Sequence, residues 1–125
     1  MPLQLPASFT PTHPTSGLPG YPAIDCFAHA GAVVLAPCAG TIRRLSGHPP
    51  TPVATPGGPY GWSIYLRATT GADYFLTHFG SRVVKVGDKV KRGDRLGTVA
   101  NYSKATHGVT PSHIHEGKKP APTQL

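Results

Sequence analysis

His113 and His115 flank Ile114 near the end of the chain. In an extended strand successive side chains alternate faces, so two imidazoles spaced by one residue point the same way. Such a pair can divide its labour, one ring holding a metal and its neighbour handling protons, because imidazole is both the commonest metal ligand and the side chain that titrates nearest neutral pH. Five more histidines occupy positions 13, 29, 48, 78 and 107. His48 and His107 sit in Pro- and Gly-flanked stretches and read as solvated. His29 falls at a turn four residues after Asp25 and is a rival ligand only. Of the five carboxylates, Asp73, Asp88 and Asp94 lie in or beside glycine turns, and Glu116 directly follows His115 and so should face away from it. Only Asp25 lies within an apolar strand, where a carboxylate needs a partner, either a metal or backbone N–H groups.

The elements that must position these groups are short strands. Residues 23–27 form one that carries Asp25; a turn at His29-Ala30-Gly31 leads to Ala32-Val33-Val34-Leu35-Ala36, apolar enough to be buried on both faces. Thr41-Ile42-Arg43-Arg44-Leu45 alternates as another strand, and residues 46–61 are a proline-rich loop long enough to wall a groove. A hairpin follows, with Trp62, Ile64 and Leu66 on one face, a turn over 68–73, and a return strand in which the alternation puts His78 on the face of Tyr74 and Leu76. Glycines 87 and 93 punctuate residues 84–99 at six-residue spacing, a pattern of tight reversals around a flattened barrel. Residues 101–111 form a polar loop that delivers Ser112-His113-Ile114-His115-Glu116 as the last strand. Pro2, Pro6, Pro11, Pro14, Gly17, Pro19 and Gly20 predict an irregular start without helix or sheet interior.

The composition agrees. A chain of 125 residues with 15 glycines and 15 prolines has too much punctuation for a helical bundle and suits many turns between strands. Its net charge of +7 favours an anionic partner, namely nucleic acid, a membrane surface or a charged bacterial wall. The basic residues lack the aromatic interleaving that base stacking uses, which ranks nucleic acid below the wall. No run approaches the roughly 20 apolar residues of a membrane-spanning helix, and the N-terminal stretch has no charged and apolar signal regions. Cys26 and Cys38, 12 apart and without a CxxC spacing, could pair across a hairpin or stay as small buried thiols, the second being favoured.

Taken in order, Ile24-Asp25, Gly31-Ala32-Val33-Val34-Leu35-Ala36-Pro37, Gly40-Thr41-Ile42, Tyr60-Gly61, Thr77-His78-Phe79, Val86-Gly87-Asp88-Lys89-Val90, Gly93, Gly97 and Ser112-His113-Ile114-His115 resemble the lysostaphin/LytM-type zinc metallopeptidases, which cut peptidoglycan peptides. The resemblance spans residues 13 to about 116 and implies an all-β fold, a small barrel-sandwich-like domain of short antiparallel strands of the duplicated hybrid motif type, with long loops walling a groove. It divides the chain into a lead-in, 1–12, and a peptidase-like domain, 13–125. It further implies one zinc ion per chain, with Asp25 and His115 as ligands and His78 and His113 as catalytic imidazoles. The family's usual motif has a histidine four residues before the aspartate. Here that position is Tyr21, whose neutral phenol is a poor zinc ligand. The sequence Gly-Leu-Pro-Gly-Tyr-Pro-Ala around it resembles a branch of the family with an insertion, which makes His13 the expected third ligand.

Three protein ligands would leave one tetrahedral position for water, whose pKa zinc lowers to about 7. No His-Glu-x-x-His helix is present and Glu116 is the sole glutamate, so the general base is expected from imidazole, His78 or His113. The expected activity is endopeptidase action at the bacterial cell wall, with delivery by lysis, on a particle, as for a phage-encoded enzyme, or by another export route; the expected partner is a peptidoglycan peptide, with an anionic wall polymer as a second ligand and no nucleic acid. Two alternatives stand beside it. One is an inactive wall-binding or particle-associated module of the same fold, which Tyr21 favours. The other is a carrier domain, since residues 86–94 resemble half of a biotinyl or lipoyl domain; that reading leaves the histidines unexplained.

Overall fold

The computed structural model describes residues 2–12, 21–47, 61–100 and 112–120. Every regular element among them is a strand: β1 (Leu3–Gln4), β2 (Ala23–Phe27), β3 (Val33–Leu35), β4 (Gly40–Gly47), β5 (Trp62–Ala68), β6 (Asp73–Arg82), β7 (Lys89–Val90), β8 (Arg95–Val99) and β9 (His113–Lys119). They hydrogen-bond into one sheet in the order β1-β3-β8-β6-β5-β4-β7, with β9 lying between β6 and β2. Only β1 and β3 run parallel; the other pairings are antiparallel. The all-β expectation is met.

Alternation builds the core. Ile64 and Leu66 of β5, Tyr74 and Leu76 of β6, Ile42 of β4, Val34 of β3, Leu96 of β8 and Ile114 of β9 all pack into one apolar cluster. Strand β3 is more lopsided than its sequence suggests, since Val34 is fully buried while Val33 and Leu35 are only partly covered. The glycine spacing in residues 84–99 reports one turn used twice. Asp88 Oδ2 accepts a hydrogen bond from the Lys85 N–H at 2.8 Å and Asp94 Oδ2 from the Lys91 N–H at 2.8 Å, while Gly87 and Gly93 take φ values of +94° and +89° that a Cβ would make costly.

Several boundaries differ from what the sequence predicts. Strand β4 continues through Ser46 and Gly47, because both pair with β5, where the sequence predicts the start of the proline-rich loop; 48–60 and 101–111 lie outside the described residues. The hairpin turn shrinks to residues 69–72, closed by the Ala68 N–H donating to Ala72 O at 2.8 Å. Residues 3–4 form a strand where prolines predicted none: Pro2 and Pro6 bracket a two-residue edge strand, a position that tolerates proline. Leu5 beside it is fully buried in the core, and Gln4 Nε2 donates to Ala36 O at 2.8 Å.

Strand β6 is the hub. On one edge it pairs with β5; on the other its residues 73–77 pair with β9 and its residues 79–82 with β8. His78 sits at the changeover. Its φ is +79°, the one positive value at a non-glycine among the described residues, and the β5–β6 register slips there as well.

Candidate metal and catalytic centre

Register alone brings the first two groups together. In the β2–β9 ladder Asp25 stands opposite His115 and Phe27 opposite His113, so the carboxylate and both imidazoles share one face of the sheet. Asp25 Oδ1 lies 3.0 Å from His115 Nδ1 and 3.5 Å from His113 Nε2. Glu116, as the alternation requires, turns the other way and is fully buried.

His78 reaches the same place by a different route. Its position two residues after Leu76 predicts a ring in the core, and the structure overturns that: the left-handed backbone at residue 78 breaks the alternation, so Phe79 takes the core position with no exposure and the His78 ring swings over β9. There it meets His113 edge to face at 4.9 Å between centroids and His115 at 6.0 Å. The β-bulge re-aims the side chain, the usual work of such irregularities beside active sites. One nitrogen from each of His78, His113 and His115 lies within 4.8 Å of the others.

The surroundings are drier than a surface site. His78 and His113 are buried, and Phe27, itself exposed, leans its ring against His113 at 5.4 Å. Beside His115 on the same face, Ser63 Oγ donates to Thr77 Oγ1 at 2.8 Å. Behind the centre, burial pushes the Glu116 carboxyl up to about 8; Cys26 donates to its Oε1 at 3.7 Å, and Oε2 has no hydrogen-bond partner among the described residues. Burial likewise pushes the Cys26 thiol up to about 12. Cys26 and Cys38 are both free thiols, half-buried and not bridged across a hairpin.

The donor set suits zinc. Imidazole nitrogens and a carboxylate oxygen are its ordinary ligands, and two ligands of a tetrahedral ion bound at about 2.0–2.1 Å stand about 3.3 Å apart, close to the 3.0 Å between Asp25 Oδ1 and His115 Nδ1. His13 lies outside the described residues. His29 is exposed in its turn and is not part of the imidazole cluster. Tyr21 packs edge-on against Phe75 at 6.4 Å. Phe27 and the Ser63–Thr77 pair are additions to the predicted site: period-two counting from Asp25 reaches Phe27, whereas Thr77 and its partner Ser63 reach the site's face only through the β6–β9 register.

A family model described as peptidase family M23 matches residues 20–120. No curated protein matches the chain in a sequence search. Among solved structures, the solution structure of lysostaphin is 26% identical with a TM-score of 0.58, over 82% of this chain and 37% of that one. A zinc containing peptidase from Vibrio cholerae is 22% identical with a TM-score of 0.57, over 79% of this chain and 27% of the other. The catalytic domain of the antimicrobial peptidase lysostaphin from Staphylococcus simulans is 23% identical with a TM-score of 0.58, over 97% of this chain and 79% of that domain. The chain therefore spans about a third of the first of these proteins and about a quarter of the second.

Proposed function

The chain belongs to peptidase family M23, and from that premise we propose that it is a zinc-dependent endopeptidase hydrolysing peptide bonds in bacterial peptidoglycan. The observation that carries the reading is the meeting of three imidazoles and one carboxylate from β2, β6 and β9 on one face of the sheet. In this reading Asp25 and His115, joined by His13, hold one zinc ion, and His78 and His113 are the catalytic imidazoles.

When bound, zinc supplies a Lewis acid that brings the pKa of water toward about 7 and polarises a carbonyl. The chain's own groups do the rest. Glu116 is disqualified as a base because its carboxyl faces the core, away from His115. The base is therefore an imidazole. His78 and His113, 4.9 Å apart, divide the proton traffic: one takes a proton from the attacking water and the other returns one to the leaving amine. Phe27 covers one side of His113 and limits competing solvent, which strengthens hydrogen bonds to the developing oxyanion. Action at the cell wall follows from the substrate. No helix among the described residues is long and apolar enough to cross a membrane.

The test is metal analysis of the purified protein together with release of soluble peptides from purified peptidoglycan, with and without chelator. About one zinc per chain and chelator-sensitive release restored by zinc support the reading. A protein that binds no zinc and leaves peptidoglycan intact is instead a wall-binding or particle-associated module.

A further inference from the structure

The face that carries the histidines continues along β5 and β6 into a second feature. Two residues from Thr77, which pairs with His115, Phe75 lies opposite Tyr65 of β5, and Tyr65 lies opposite Arg44 of β4. The rings of Tyr65 and Phe75 are 5.0 Å apart and the Arg44 guanidinium stands over Tyr65 at 5.2 Å. On the other side of Phe75 its β9 partner is Gly117, which leaves the floor open toward Tyr21. One step further, Arg67 grips Asp73 with both arms of its guanidinium. Tyr21, Arg43, Arg44, Tyr65, Arg67 and Asp73 line a cleft of about 280 Å³.

Its charge is unbalanced. Asp73 is the sole acid among the lining residues and is occupied by Arg67, while Arg43 and Arg44 are exposed and make no ion pair among the described residues. An aromatic floor beside two guanidinium groups that have no ion pair among the described residues is a site for a planar anion, and arginine's fork is matched to carboxylate in two-point contact. From Thr77 to Asp73 is four residues of strand, about 13 Å, the reach of about four residues of an extended peptide.

We propose that this cleft is a specificity subsite for a carboxylate-bearing part of the substrate peptide, three to four residues from the bond that is cut. The proposal rests on the reading of the chain as a peptidase, but the cleft can be tested apart from catalysis. The volume suits one or two amino-acid residues, and the cleft lies on the same strands as the histidines, so a peptide held there passes the catalytic centre.

The probe is cross-linked peptide fragments of purified peptidoglycan, before and after conversion of their carboxylates to amides with carbodiimide and ammonia. Zinc-loaded wild type is expected to prefer the native fragments about tenfold in kcat/KM, mainly through KM. Arg44→Ala removes that preference and Arg44→Lys restores part of it. Equilibrium binding of the same two fragment pools, read by calorimetry, should show the same tenfold difference and its loss in Arg44→Ala. Equal binding of native and amidated fragments by wild type overturns the subsite, as does an Arg44→Ala protein that keeps the difference. If wild type cuts neither pool, the peptidase reading falls, while the binding comparison still decides the cleft. Competition by a glycerol phosphate polymer with no effect of amidation would assign the cleft to wall polymer and overturn the proposal.

Discussion

His78 tests whether the bulge in β6 is a device for placing an imidazole or an incidental kink. A non-glycine residue at φ +79° crowds its Cβ against the following carbonyl, at a cost of about 1–2 kcal/mol. Comparing His78→Gly with His78→Ala isolates this term, because both lose the ring and its contacts with His113 and His115. Glycine brings its own penalty, about 0.4–1 kcal/mol through the greater freedom of the unfolded chain. At the midpoints of the two ranges the difference leaves glycine ahead by about 0.8 kcal/mol. At an ordinary strand position the order is the reverse, so the sign decides. Urea unfolding of metal-free protein should place the Gly midpoint a few tenths of a molar above the Ala midpoint, with equal slopes, and His78→Asn should fall between. Both small-residue variants lose kcat by about 10²–10⁴ if the ring moves protons. An Ala variant as stable as the Gly variant would refute the claim that the strand is held in this conformation for the sake of the side chain.

Other outcomes follow from the same geometry. His13→Ala and His115→Ala should each lose bound zinc and activity while keeping the fold by circular dichroism; a His13→Ala protein retaining stoichiometric zinc removes His13 from the ligand set. Gly97→Ala should destabilise by about 1–3 kcal/mol, read as a lower Tm, because a Cβ there falls inside the contact distance of Ser81 O on β6. In metal-free protein, Glu116 makes stability fall as pH rises. Burial raises its carboxyl from 4.5 to about 8 in the folded state, so the folded chain holds a proton the unfolded chain has released, and the loss accumulates between about pH 4.5 and 8. Glu116→Gln should flatten that slope; an unchanged slope assigns it to other groups.

Strand parity made most of the centre legible in the sequence. Asp25 in an apolar strand, the His113 and His115 pair, and a Glu116 turned inward all follow from a period of two, and the β2–β9 register then sets carboxylate against imidazole. His78 is singled out by the family resemblance alone; its orientation escapes strand parity because a bulge is not a periodic feature. Nothing in Thr77-His78-Phe79 announces that β6 must exchange β9 for β8 at that point, and the exchange is what frees the backbone to turn the ring over. The second miss, β1, has the same origin: a two-residue edge strand depends on its partner β3, not on its own propensity, and Pro2 and Pro6 mark its ends. The cleft around Arg44 and Tyr65 was legible only as charge, since its aromatic floor comes from cross-strand neighbours on two strands, Tyr65 and Phe75.

The placement of the histidines on β9 has a physical consequence. Strand β9 is bonded along both edges, to β2 and to β6, and its inner face is anchored by Ile114 and Glu116, both fully buried. Its backbone therefore has little freedom to shift, and the two ladders fix where His113 and His115 stand on the sheet. Such fixed donors contribute most when charge develops in the transition state, because no reorganisation is required at that moment. The adaptable parts of recognition are then pushed outward along the sheet, toward Arg43 and Arg44 on the exposed stretch of β4. Variation in substrate preference should accordingly arise from changes in β4 and Tyr21, while substitutions on the inner face of β9 change stability and the rate together.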